Sequence, residues 1–236
     1  MDTNISLNRR DAIKTIVSSA LVCATGVNVL SNSVYAMGKA EIPQGVQKVD
    51  GDVTINGIPA KVGDIVSPDD VIVTGKDSSV IFTFGDSSCL MRANSKLTVE
   101  NSEKTGEKNK FINALRLVDG KLLSAFGKGD KTVETPSAYI GIRGTGLYIE
   151  TDHKKTYVCA CYGKITLRHA IYPSKEENIT TKHHEAARYI NHVERHIAPA
   201  PMINHTDDEL TMLEALVGRI PPFTDKSGKK DGGSGY

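Results

Sequence analysis

From Gly45 to about Leu167 the chain alternates short β-branched runs with Gly and Asp turns: GDVTING, KVGDIVSPDDVIVTGKDSSVIFTFGDSSCLMRANSKLTVE, LRLVDGKLLSAF and TYVCACYGKITL. Val71, Val73, Val80, Phe82, Phe84, Leu90, Leu97 and Val99 fall in period-2 patterns bounded by turn residues. That pattern belongs to half-buried strands, because successive side chains on a strand point to opposite faces of the sheet. The middle of the chain is therefore expected to be all β. One polar insertion, NSEKTGEKNK at 101–110, interrupts the pattern and reads as an exposed loop.

The run GDIVSPDDVIVTGKDSSVIFTFGDSSCLMRANSKLTVE, the following LVDGKLL, and above all TPSAYIGIRGTGLYIE with TYVCACYGKITL resemble the periplasmic FecR domain. The most specific element is Ile142-Arg143-Gly144-Thr145 preceded by Thr135-Pro136, and the resemblance spans roughly residues 45–168. It implies a mainly β fold, a partly repetitive β-roll or solenoid-like domain. The best-known members of that family relay the state of an outer-membrane receptor to a cytoplasmic sigma factor. Here only the fold is carried over, since fold alone does not fix function. The chain reads as lacking the N-terminal cytoplasmic domain and the membrane-spanning helix of those members. The strand that is plain β-branched and aromatic in the family holds Cys159 and Cys161 instead.

The N-terminus, LNRRDAIKTIVSSALVCATGVNVLSNSVYAM, joins adjacent Arg9 and Arg10 to a moderately apolar run and the small-residue site Val34-Tyr35-Ala36. This is an export signal over residues 1–36, resembling the twin-arginine type that carries folded substrates. A general secretory signal is the alternative. The apolar part falls short of the roughly 20 residues needed to span a bilayer. The expected mature chain starts near Met37 and is periplasmic or otherwise exported, with no membrane span. The full chain's formal net charge of +1 gives no basic excess to hold nucleic acid. With 236 residues and 39% hydrophobic content the chain can bury a real core.

A FecR-like β domain is expected over 37–170, followed by an extension over 171–223. In the extension, ITTKHHEAARYINHVERHIAPAPM reads as further strands around a turn near Asn191-His192 and is rich in histidine. NHTDDELTMLEALVGRIPPF then gives one short helix over 207–217. Thr206 is its N-cap, Glu209 the capping-box partner, and Leu210, Leu213, Leu216 and Val217 its apolar stripe; Gly218 ends it and Pro221 forbids continuation. The tail from 224 to 236 has nothing to bury and is expected to be disordered.

Signal cleavage leaves Cys89, Cys159 and Cys161, an odd number of thiols in an oxidising compartment. Cys159 and Cys161 stand on one strand face with Cβ atoms about 6–7 Å apart, from a rise near 3.3 Å per residue. A disulfide wants Cβ atoms about 3.8 Å apart, so these two do not bond to each other. One metal ion can accept both, because bonds of roughly 2.3 Å at a tetrahedral angle bring the sulfurs within about 4 Å. His183, His184 and His205 are the candidate further ligands. On a strand only one of the adjacent His183 and His184 would face the thiols; in a turn both could. His205 precedes the helix N-cap, where the dipole keeps the ring neutral, as a ligand must be. Met202 could offer a thioether to copper. Cys159, Cys161, His183, His184 and His205 therefore form the candidate site for a transition metal, with zinc, iron and copper all open.

Other readings stand beside this one. Buried cysteine is commonly a small hydrophobe, and no spacing here matches a standard zinc motif. Cys89 reads as core packing, and His153, His169, His192 and His196 as surface residues. Arg143 in GIRGTG reads as a buried clamp between strands. No nucleophile–base pair, phosphate loop or carboxylate pair marks a catalytic centre, and GDSS at 85–88 lacks the G-x-S-x-G frame. The leading expectation is an exported, soluble protein acting in envelope metal binding, sensing or electron transfer. The alternative is a metal-free interaction or scaffold module that recognises an envelope partner.

Overall fold

The computed structural model describes residues 41–100 and 112–224. The export segment read over 1–36, the loop read over 101–110 and the tail beyond Thr224 lie outside them. Fourteen strands and one helix are formed among the described residues. In chain order the strands are β1 (Gly45–Asp50), β2 (Val53–Ile55), β3 (Ile58–Pro59), β4 (Val71–Thr74), β5 (Ser79–Phe84), β6 (Ser87–Met91) and β7 (Ser95–Glu100). There follow β8 (Ala114–Ala125), β9 (Asp130–Glu134), β10 (Ala138–Thr151), β11 (Lys155–His169), β12 (Glu176–Thr181), β13 (Ala187–Asn191) and β14 (Ile197–Ala200). The helix, α1, spans Asp207–Leu216. The mainly β fold with added C-terminal strands and one short helix is thus as the sequence implied.

The strands form one open, branched sheet whose main path runs β14-β13-β11-β10-β9-β8-β7-β4-β2-β3. A branch β1-β5-β6 joins at β8, and β12 pairs with β11. The pairings are antiparallel except β8 with β9. Strand β8 serves two parts of the sheet. Its first half pairs with β7 and its second half with β6 and β10. Gly120 sits at that change with φ +100°, and a Cβ there would lie 2.4 Å from Ser95 Cα. Only glycine accepts both the left-handed backbone and the close approach.

The sheet is apolar on both faces where β5, β6, β8, β10 and β11 lie side by side. On one face Val80, Met91, Leu122, Ile149 and Val158 stand in a cross-strand row and belong to the larger core. One residue along, Ile81, Leu90, Leu123, Tyr148 and Cys159 make the matching row on the opposite face, in a second core completed by Leu210 and Leu213 of α1 and by Phe223. Cross-strand neighbours of this kind are the unit of sheet stabilisation. Double-sided burial explains why VCACY and LLSA read as continuous apolar runs rather than strict alternation.

Three expectations are corrected. Val73 is 38% exposed, and its neighbours Ile72 and Thr74 point inward instead; the Thr74 hydroxyl donates to the Arg92 carbonyl, so its burial leaves no donor unpaired. Arg143 is not a buried clamp but an exposed side chain pairing with an equally exposed Asp130. The glycines around it serve the backbone: Gly144 has φ +59°, and a Cβ on Gly146 would lie 2.3 Å from the Tyr162 ring. His169 is buried, not a surface residue. Its Nδ1 accepts from the Ile171 and Tyr172 amides, and its Nε2 faces the Asn191 and Glu194 carbonyls. The ring thereby replaces backbone partners for two adjoining loops. His153 and His196 are exposed. His192 is half-buried, with Nδ1 donating to the Pro136 carbonyl at 3.0 Å.

Helix α1 starts as its sequence dictates. The Thr206 hydroxyl accepts from the Glu209 amide, and the Glu209 carboxylate accepts from the Thr206 amide. That capping box satisfies two of the otherwise orphaned donors of the first turn. Leu210, Leu213 and Val217 are buried, and Gly218 follows the C-cap with φ +67°. The helix is pinned to the sheet by polar contacts too. Ser88 donates to the Leu213 carbonyl, Tyr162 hydrogen-bonds the buried Glu214 carboxylate, and Arg219 pairs with Glu214 while donating to the Asp86 and Ala125 carbonyls.

Candidate metal centre

Cys159 and Cys161 lie on the β11 face that looks toward α1, and both are fully buried. Two short segments bring histidines onto them. The first is the turn after β12. There the Glu185 amide donates to Thr181 Oγ1 and the Lys182 amide to the Glu185 carboxylate, each at 3.2 Å. His184 takes φ +53°, an uncommon conformation for a residue with a side chain. Its amide donates to the Cys161 carbonyl at 2.9 Å, which delivers the ring to the sulfurs. The second segment precedes α1. It is strapped to β11 through Tyr157, whose hydroxyl donates to the Pro201 carbonyl and accepts from the Ile203 amide. Asn204, with φ +55°, then turns the chain so that His205 points inward.

The result is a cluster of four donor atoms from Cys159, Cys161, His184 and His205, all within 4.8 Å of one another. Cys159 Sγ lies 3.6 Å from His184 Nδ1, and His205 Nε2 lies 3.0 Å from the same nitrogen. For bonds of about 2.3 Å to sulfur and about 2.0–2.1 Å to nitrogen, a tetrahedral ion sets S···N edges near 3.6 Å and N···N edges near 3.3 Å. The cluster has the size of one coordination shell.

The outer nitrogen of each ring is already committed. His184 Nε2 donates to Asp207 Oδ1 at 3.0 Å, and His205 Nδ1 donates to the Ile203 carbonyl at 2.6 Å. Both partners are acceptors, so each outer nitrogen carries its hydrogen, and in a neutral ring the inner nitrogen is a bare lone pair. Two lone pairs 3.0 Å apart repel unless a cation lies between them. A proton or a metal ion can take that place. Cys159 is held far below the usual thiol value, first by the Cys161 thiol and then by the two imidazoles against the effect of burial. Burial opposes charge on His184, but the Cys159 thiolate and Asp207 outweigh it and raise the ring's pKa. Cys161 is pushed the other way, chiefly by burial and by its thiolate neighbour.

Of the residues singled out in the sequence, Cys159, Cys161, His184 and His205 meet in this cluster. His183 stands one step out, its Nε2 donating to both Asp207 oxygens at 3.0 and 3.1 Å while its ring stacks on Phe223 at 4.6 Å. The turn does bring both histidines to the site, but onto different atoms. Met202 is exposed and outside the four-residue group. Cys89 faces the larger core, donates to or accepts from Ser124, and is pushed up to about 12 by burial. It is packing, as the sequence suggested, on the far side of the sheet from the other two thiols.

Sequence reasoning missed Asp207, which orients His184, and Tyr148, whose ring stacks on His205 at 4.4 Å. Asp207 looked like an ordinary acid in a first helical turn. Tyr148 could have been found from register, since it pairs directly with Cys159 across β10 and β11.

Residues 70–166 match the family model described as FecR protein. The chain carries a FecR domain, centred on β4 to β11. No curated protein matches the chain. Two solved structures of a candidate anti-sigma factor from Parabacteroides distasonis ATCC 8503 are similar, each at 11% identity and a TM-score of 0.44. The similarity covers 56% of this chain and 59% of that one. His184, His205 and α1 all lie beyond the family match, whereas Cys159 and Cys161 lie within it. No helix among the described residues is long and apolar enough to cross a membrane.

Proposed function

We propose that this is an exported FecR-type protein whose C-terminal segment completes a transition-metal centre on the domain, with Cys159, Cys161, His184 and His205 as ligands. The observation that carries the reading is the pair of imidazoles committed outward to Asp207 and Ile203, whose bare nitrogens converge with two buried thiols. Outer partners of this kind fix the tautomer and direction of metal-ligating histidines. A tetrahedral set of two sulfurs and two nitrogens suits zinc first and iron second, and the soft thiolates also accept monovalent copper.

All four positions are supplied by protein, three of them by buried residues and the fourth by half-buried His184, whose side chain is only 6% exposed; that is the pattern of a site that holds structure or senses metal, not one that presents a water for hydrolysis. One ion would join β11, the 182–185 turn and the segment before α1. Binding requires Cys161 to lose its proton and displaces any proton held between the two rings, so affinity rises with pH. In this account the metal sets whether the C-terminal segment is locked on the domain, and an envelope protein partner reads that state. Export in the folded state lets the ion be loaded before the chain leaves the cytoplasm.

The test is elemental analysis of the full chain exported through its own signal, beside a Cys159→Ser, Cys161→Ser variant. About one equivalent of a transition metal in the first and none in the second is the expected result. No metal in either would leave a metal-free interaction module and overturn the proposal.

A further inference from the structure

His183 and Asp207 do more than orient one ligand. A single acceptor suffices to fix the His184 tautomer, yet Asp207 receives two imidazoles. His183, His184 and Asp207 each offer one donor atom to a second group whose atoms lie within 4.8 Å of one another, with both Nε2 atoms on Asp207 Oδ1. The distances from Asp207 Oδ1 to His183 Nε2 and His184 Nε2 are both 3.0 Å. That is close to the separation of about 3 Å that nitrogen and oxygen ligands adopt around one ion at 2.0–2.2 Å. The rings are held in place from behind, His183 by stacking on Phe223 and His184 by its backbone bond to Cys161.

We infer that His183, His184 and Asp207 form a second, outer cation site that shares the His184 ring with the buried centre, one metal on Nδ1 and the other on Nε2. The inference rests on the proposed buried centre, because without a metal on Nδ1 the ring cannot bridge. The two sites differ in kind. The inner one is sulfur-rich and closed. The outer one has two imidazoles and a carboxylate, ligands suited to zinc or divalent copper. Its His183 and Asp207 side chains are 31% and 19% exposed, so water or a small anion can reach a remaining position. Filling the outer site replaces the hydrogen of His184 Nε2, which passes to solvent, and the carboxylate turns from hydrogen-bond acceptor to ligand. The outer ion therefore binds after the inner one, more weakly and exchangeably, and it senses free metal on a chain whose inner ion is permanent.

Titration of the metal-free full chain with Co2+ alone tests this. The first equivalent should bring the intense near-ultraviolet absorption of thiolate bound to cobalt. A second should change the visible bands without adding to the thiolate band. His183→Ala, which leaves all four inner ligands and the Asp207 partner of His184 in place, should keep the first phase and weaken the second at least about tenfold. Saturation at one equivalent with the thiolate band present, or a second phase unchanged in His183→Ala, overturns the outer site and leaves the inner one standing. Absence of the thiolate band overturns the inner centre, and the bridged pair with it.

Discussion

The two faces of the central sheet are made by the same strands in the same register, offset by one residue, yet they do different work. The face of Val80, Met91, Leu122, Ile149 and Val158 is a plain apolar core. The face of Ile81, Leu90, Leu123, Tyr148 and Cys159 begins the same way but ends in thiols, tyrosines and histidines. It is closed by a helix held through Glu214, Arg219 and Ser88. Apolar burial is non-directional and fixes the fold whichever side chains supply it. Polar groups brought into a buried place must each find a partner, so the second face specifies one arrangement of the C-terminal segment and creates the only thiol–imidazole cluster among the described residues.

The largest effect that would sharpen this contrast is ligand linkage. Metal held at a thousand times its dissociation constant should stabilise the native chain by about 4 kcal/mol, visible as a rise in Tm. The Cys159→Ser, Cys161→Ser variant should show none of it, and Cys89→Ala, on the other face, should keep it in full. A metal-dependent Tm that vanished in Cys89→Ala would break the division. Next comes a cavity on the first face: Leu122→Ala should cost about 3 kcal/mol in denaturant unfolding. That loss should be the same with and without metal, since Leu122 points away from the cluster. Smaller again is the cap. Thr206→Ala should cost about 1 kcal/mol and also loosen metal, because the N-cap fixes the residue after His205. An equal Tm change with and without metal would show that the cap and the ligand are independent. Smallest is Arg143→Ala, expected to change stability by less than about 0.5 kcal/mol, since its ion pair with Asp130 is exposed.

The sequence was most legible where local rules act alone. Alternation located the strands of the first face, and the Thr206–Glu209 pair with Gly218 marked both ends of α1. The thiols were legible as a pair because i and i+2 on a strand share a face. Which histidine joins them was not, because it depends on the left-handed backbone of His184, and nothing in the local sequence assigns that uncommon conformation to His184 over His183. His205 was found from its place before an N-cap. Asp207 and Tyr148 were not, since their roles come from packing across long sequence separations: β10 against β11, and α1 against the 182–185 turn. His169 and Arg143 were misplaced for a similar reason. Burial of a polar residue follows the backbone groups that surround it in three dimensions, and the three-residue neighbourhood of neither one shows them. Continuous apolar runs such as VCACY did carry a readable sign that both faces were covered.

The most direct test of the central claim is X-ray absorption at the metal edge of the zinc-loaded full chain. The account predicts a single four-coordinate ion with two sulfur neighbours at about 2.3 Å and two nitrogen neighbours at about 2.0–2.1 Å when one equivalent is bound. A shell of nitrogen and oxygen alone, with no sulfur, would contradict it.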